Sequence, residues 1–128
     1  MDFPATLTYP ASFFKRLPRH SGQTVFPRYR DNITRYLLWE DQKEACIYSG
    51  KPISFGQLFG GEVDVDHILP YSKCLDSSQN NLVVCFRKAN ADKGNKTPYE
   101  WLAQSRPEQY EAVCVRANSL LRDGRMLY

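Results

Sequence analysis

Apolar and polar residues alternate in "VDVDHILP", residues 63–70, in a way that predicts an exposed-edged strand. Val63 and Val65 would share one face, with Asp64 and Asp66 on the other. Pro70 ends the strand because it cannot donate to a ladder. A second strand is read in "NLVVCF", across the polar loop "LPYSKCLDSSQN". The segment "RKANADKGNK" then has helical composition, with Gly94 and Asn95 as its stop. Thr97, Pro98 and Glu100 fit the N-cap, N1 and N3 positions of a new helix. Ser105 and Glu108 suggest a second capping box for a final helix whose buried face is Tyr110, Val113, Ala117 and Leu121, with Gly124 near its end. Upstream, Asp31 is placed as the cap of a helix to about Ala45, with Ile33, Tyr36 and Leu37 on one face. "ACIYSGKPIS" reads as a strand, a turn at Ser49-Gly50 and a second extended piece.

The order strand, loop, strand, helix makes the chain α+β. Residues 1–30, with Pro4, Pro10, Pro18 and Pro27, read as a linker-like lead-in with one helical turn near Phe13. Residues 31–128 form the domain proper, its central unit at about 62–96. A length of 128 residues holds one modest core. The net charge of +3 is mild. Its distribution is not, since residues 1–36 carry Lys15, Arg16, Arg19, Arg28, Arg30 and Arg35 against Asp2 and Asp31. Phe13, Phe14, Phe26 and Tyr29 are interleaved there, which suits either a phosphate-facing surface with stacking groups or a basic linker with aromatic anchors. His20 falls in this stretch and reads as exposed linker.

The four cysteines, Cys46, Cys74, Cys85 and Cys114, form no C-x-x-C pair, so no zinc is expected. Free thiols, no secretory leader and no membrane-length apolar run point to a reducing cytoplasm.

The chemistry concentrates in the central unit. Phosphodiester hydrolysis needs a hard cation held by oxygen ligands and a base for the attacking water. Asp66 supplies the ligand type, and His67 beside it supplies an imidazole suited to proton removal near neutrality. Adjacent side chains on a strand diverge, so the pair converges only if the strand kinks. From the following helix Asn90 would offer its carbonyl oxygen, and Lys93, three positions on, would face a phosphate.

"VDVDHILPYS", "NNLVVC" and "KANADKGNKTPYEW" together resemble the HNH nuclease module of type II CRISPR effectors, the RNA-guided DNA endonucleases. "KGNKTPYEW" more resembles the compact subtype II-C enzymes. The likeness runs from about Leu37 to Trp101 and includes "LLWEDQKEACIYSGKPI"; His67 precedes Asn81 by 14 residues and Asn90 by 23, which fits the family pattern. The resemblance implies a ββα-metal fold with His67 as general base and one Mg²⁺ or Mn²⁺ on Asp66 and Asn90. It implies that Asn81 ties the loop to the strand and orients His67, with Asp64 at a frequent acidic position and Lys93 at a basic one near the phosphate. Asn90 stands where many HNH nucleases have histidine, as is usual in the CRISPR branch.

The implied partners are the DNA strand of an RNA–DNA hybrid, guide RNA through a parent enzyme, and that enzyme's other domains. A full effector needs a second nuclease domain and guide-binding lobes, so an excised domain is expected, and activity in isolation is left open. Two alternatives differ in kind. A stand-alone phage or mobile-element HNH nickase must bind duplex unaided, with steep salt dependence. A binding target for a phage anti-CRISPR inhibitor would form a complex without nucleic acid.

Overall fold

Six of the eleven positions from Asp31 to Asp41 are buried, on every side of the helix they form. A helix buried all round belongs at the centre of a fold. In the computed structural model, which describes residues 9–16, 30–74 and 79–120, this is helix α2 (Arg30–Asp41). It packs on one side against the aromatic cluster of α1 (Ala11–Arg16) and α3 (Phe55–Phe59), and on the other against the hairpin. Phe13 lies face to face with Tyr9 and edge-on to Tyr36, with ring centroids 3.8 and 5.2 Å apart. The helical turn expected near Phe13 is therefore present, but it is a docked part of the core rather than a linker. The remainder of the lead-in, including His20, Phe26 and Arg28, lies outside the described residues.

The sheet has two strands, β1 (Val63–His67) and β2 (Leu82–Phe86), antiparallel in the register Val63 to Phe86 and His67 to Leu82. Gln42 closes the other edge of β2. Its amide donates to Val84 O and accepts from Val84 N, both at 2.8 Å, as a neighbouring strand would. Ala45 and Pro52 make an isolated bridge around a turn, so the strand expected in "ACIYSGKPIS" is a single bridged pair. The preceding helix stops at Asp41 because Lys43 and Glu44 take left-handed φ values of 57° and 63°. Asp31 sits within its first turn instead of capping it.

Between the strands lie α4 (Tyr71–Cys74) and a 3₁₀ turn (Gln79–Asn81). No residue separates β2 from α5 (Arg87–Lys93), so α5 folds straight back onto the hairpin. It stops at Gly94, whose φ of 58° needs no Cβ accommodation. Helix α6 (Pro98–Leu102) begins with the expected Thr97–Glu100 capping box. Helix α7 (Pro107–Asn118) does not repeat it: Arg106 is the N-cap, with no side-chain bond. Ser105 instead donates to Trp101 O, and Pro107 starts the helix, where its missing N–H costs nothing. Val113 and Ala117 are buried and Tyr110 half-buried on α7, while Leu121 and Gly124 fall outside the described residues. Among the described residues no helix is long and apolar enough to cross a membrane.

Candidate active site

The site is the layer where α5 crosses the acidic face of β1. Asp64 and Asp66 share that face by strand alternation, and residues one helical turn apart on α5 reach each of them. Asn90 Nδ2 donates to Asp64 Oδ2 at 3.1 Å, and Arg87 Nε approaches Asp64 Oδ1 at 3.0 Å. Lys93 Nζ stands 3.1 Å from Asp66 Oδ2 and also donates to His67 O at 3.1 Å.

Lys93 departs from the expectation that it faces a phosphate. Its side chain is only 1% exposed, turned inward onto Asp66. An ammonium so far from water persists only with close partners, and Asp66, His67 O and the Tyr48 ring supply them. The sequence order also suggested a kink between Asp66 and His67. The ladder instead continues through the His67–Leu82 pair, so the two side chains leave by opposite faces.

Asn81 sets where that ladder ends. It is fully buried; its Oδ1 accepts from Leu69 N and its Nδ2 donates to Leu69 O, each at 2.9 Å. Its carbonyl accepts from Ile68 N at 2.9 Å. One residue, through its carbonyl and its side chain, thus continues the pairing for two residues beyond β1 and pins the backbone just after His67. The Tyr71 ring lies 6.3 Å from the imidazole, at the start of α4. Helix α4 is itself clasped to the far side of the site by Ser72 to Asn95 and Lys73 to Glu100. Among the described residues, the imidazole nitrogens of His67 meet no hydrogen-bond partner.

Sequence reasoning missed Tyr48, whose hydroxyl donates to Asp66 Oδ2 at 2.6 Å. Burial first, then the neighbouring Asp66 charge, pushes its phenol well above the ordinary range, so it stays a donor. No local signal marks it, since its partner lies 18 residues away. Arg87 was missed for the same reason.

The oxygen chemistry suits a hard divalent ion. The protein contacts of the Asp66 carboxylate fall on Oδ2, and Asn90 turns its amide nitrogen to Asp64, leaving carboxylate Oδ1 and amide carbonyl oxygens as donors. Among the described residues no three histidine, cysteine, aspartate or glutamate side chains cluster for a metal. A carboxylate oxygen of Asp66 and an amide oxygen of Asn90 are the donor types that Mg²⁺ takes, one or two from protein with phosphate and water completing its shell. Cys46 and Cys85 are buried free thiols, and Cys46 Sγ accepts from the backbone of Ser49 and Phe86.

The chain is built on a two-stranded antiparallel hairpin with α5 packed on it, and residues 46–99 match the family described as HNH endonuclease. The chain carries an HNH endonuclease domain, and that domain is of the Cas9 kind. It is 36% identical over 99 residues to the CRISPR-associated endonuclease Cas9 1 of Streptococcus thermophilus, covering 72% of this chain and 9% of that protein. Against Cas9 of Campylobacter jejuni it is 43% identical over 70 residues, covering 54% of this chain and 7% of that one. The chain thus spans less than a tenth of either relative. A crystal structure of S. thermophilus Cas9 in complex with the GGAA PAM superposes with a TM-score of 0.62 at 30% identity, over 79% of this chain and 11% of that chain.

Proposed function

We propose that the chain cuts the DNA strand paired to guide RNA, as the HNH module of an RNA-guided nuclease, by one-metal phosphodiester hydrolysis. The observation that carries this is α5 lying on β1, which gathers Asp64, Asp66, Asn90 and Lys93 into one layer beside His67. His67 acts as the general base: a ring nitrogen without a protein partner is open to a water. That water loses its proton to the imidazole and attacks phosphorus, the P–O3′ bond breaks, and the products are 5′-phosphate and 3′-hydroxyl ends. Asp66 and Asn90 would hold one Mg²⁺, for which Mn²⁺ would substitute. When bound, the ion polarises the phosphate and neutralises charge on the departing oxygen.

Because Asp66 and His67 leave β1 by opposite faces, the phosphate lies across the open edge of this strand, within reach of both. From the β2 side, Asn81 keeps the end of this strand from fraying beyond His67. Sequence choice belongs to the guide in this family, so the module needs no base-reading surface of its own.

The test is cleavage of labelled duplex DNA and DNA–RNA hybrid in Mg²⁺, wild type beside His67→Ala. Wild type should cut the DNA strand of the hybrid, and His67→Ala should lose about 10²-fold or more in rate. Undiminished cutting by His67→Ala would overturn the assignment of the base. Equal, salt-sensitive cutting of duplex alone would instead favour a stand-alone nickase.

A further inference from the structure

Tyr48 has no part in hydrolysis as set out above, yet the fold spends several contacts on fixing it. Its ring is fully buried, edge-on to Trp101 at 5.4 Å between centroids and 5.7 Å from Lys93 Nζ. The turn that carries it is clamped from α7: Arg116 donates to Ile47 O at 2.8 Å and to Tyr48 O at 2.9 Å. Gly50 permits that approach, with a φ of 73° and a position where a Cβ would lie 2.7 Å from Arg116 Nη1. A hydroxyl held this rigidly and this deep in the protein is aimed at one atom, Asp66 Oδ2.

Lys93 reaches the same oxygen. A carboxylate gripped at Oδ2 from two directions cannot rotate to present both oxygens to an ion. Only Oδ1 is offered, as a single-oxygen ligand. That distinction matters between cations. Mg²⁺ and Mn²⁺ accept single-oxygen carboxylates in a compact octahedron, whereas Ca²⁺ takes more oxygens at longer range and often uses both of a carboxylate.

We propose that Tyr48 is a positioning residue that fixes Asp66 as a single-oxygen ligand and so selects a small divalent ion over Ca²⁺. The inference rests on reading Asp66 as a cation ligand. Tyr48 touches neither substrate nor ion; it acts through the carboxylate, as outer-shell hydrogen bonds to metal ligands do.

Tyr48→Phe removes the hydroxyl alone and keeps the packing on Trp101 and Lys93. Mn²⁺ and Ca²⁺ affinities of the full chain are measured by calorimetry for wild type, Tyr48→Phe and Asp66→Asn. Mn²⁺ affinity should fall about tenfold in Tyr48→Phe, while Ca²⁺ affinity holds or rises, so the preference for Mn²⁺ narrows at least about tenfold. A merely structural tyrosine would move both affinities together, and an unchanged ratio overturns the proposal. Asp66→Asn separates the two levels: Mn²⁺ binding as in wild type would sink the ligand assignment itself. Should Tyr48→Phe not fold, the wild-type Tyr48 hydroxyl proton is followed by NMR. Its downfield, slowly exchanging signal should persist with Mg²⁺ bound; its loss on Mg²⁺ addition means that Oδ2 is released, and the proposal fails.

Discussion

At the scale of single residues, Lys93 changes what kind of cation site the proposed reading of Asp66 implies. With its ammonium ion-paired to Asp66, an incoming metal meets a nearly neutral pair instead of a bare carboxylate. Removing one partner of a buried pair leaves the other charge uncompensated, which costs about 3–5 kcal/mol in typical interiors. The Asp66 side chain keeps 16% of its exposure, so Lys93→Met should fall at the lower end, about 3 kcal/mol less stable in chelator. The freed carboxylate then binds metal more tightly, so saturating Mg²⁺ should stabilise Lys93→Met more than wild type. Urea unfolding of both proteins, with and without Mg²⁺, measures the two effects; equal Mg²⁺ stabilisation would show that Lys93 does not compete with the ion.

At the scale of elements, two devices hold the site in shape, and each can be released. Gln42 stands in for a strand along β2, and Gln42→Ala would take the partner from the Val84 amide and leave the Val84 carbonyl with only the 3.4 Å bond from Ile47 N. About 2 kcal/mol should be lost in chemical denaturation, the cost of orphaning one buried backbone amide. The second device is the clasp on α4, where Glu100 both completes the α6 capping box and pairs with Lys73. The Lys73 bond first, then the Thr97 backbone, draws the Glu100 carboxyl down from 4.5 to about 2. A depressed carboxyl contributes fully above its unfolded value and loses that contribution as pH falls through its folded one. The clasp should therefore hold at pH 5 and open between about 4.5 and 2, exposing the amides of Ser72 and Lys73 to exchange before the core. In Glu100→Gln the same amides should exchange faster at neutral pH. Carboxyl NMR placing Glu100 near 4.5 would remove the basis for this opening.

These elements also show what the sequence made legible. The period-two pattern of β1, the continuous apolar β2 and the Thr97 box are local signals, and each is found where the residues predict it. Asp64, Asp66, Asn90 and Lys93 could be placed near one another because β2 passes into α5 without a loop. Their mutual bonds could not be read, since which side chain meets which depends on how far α5 slides along β1. Tyr48, Gln42 and Arg116 stayed hidden because their partners lie 18, 42 and up to 69 residues away. Ser105 misled because a capping box needs the chain to leave the previous helix first, and the Ser105 hydroxyl is still bonded to Trp101 O at the end of α6.

At the scale of the whole molecule, the question is whether such a domain binds DNA by itself. Among the described residues, much of the positive charge is already spent within the protein: Arg16 on Glu44, Arg87 on Asp64, Lys73 on Glu100, Arg106 on Asp92 and Lys93 on Asp66. The net charge of the full chain is +3. Each phosphate neutralised by a protein cation steepens the fall of binding with salt by nearly one log unit per log unit of salt. A domain that relies on a larger enzyme to deliver its strand should show few such contacts. The expected slope for duplex DNA is shallow, no steeper than about −3, with weak affinity at physiological ionic strength. Tethering the chain to one end of a hybrid should then raise cutting by increasing effective concentration, without changing its His67 dependence. Fluorescence titrations across a salt series test the first expectation. A slope near −8 with tight duplex binding would mean that the chain finds DNA unaided, and a tethered hybrid cut no faster than a free one would show that strand delivery is not what limits it.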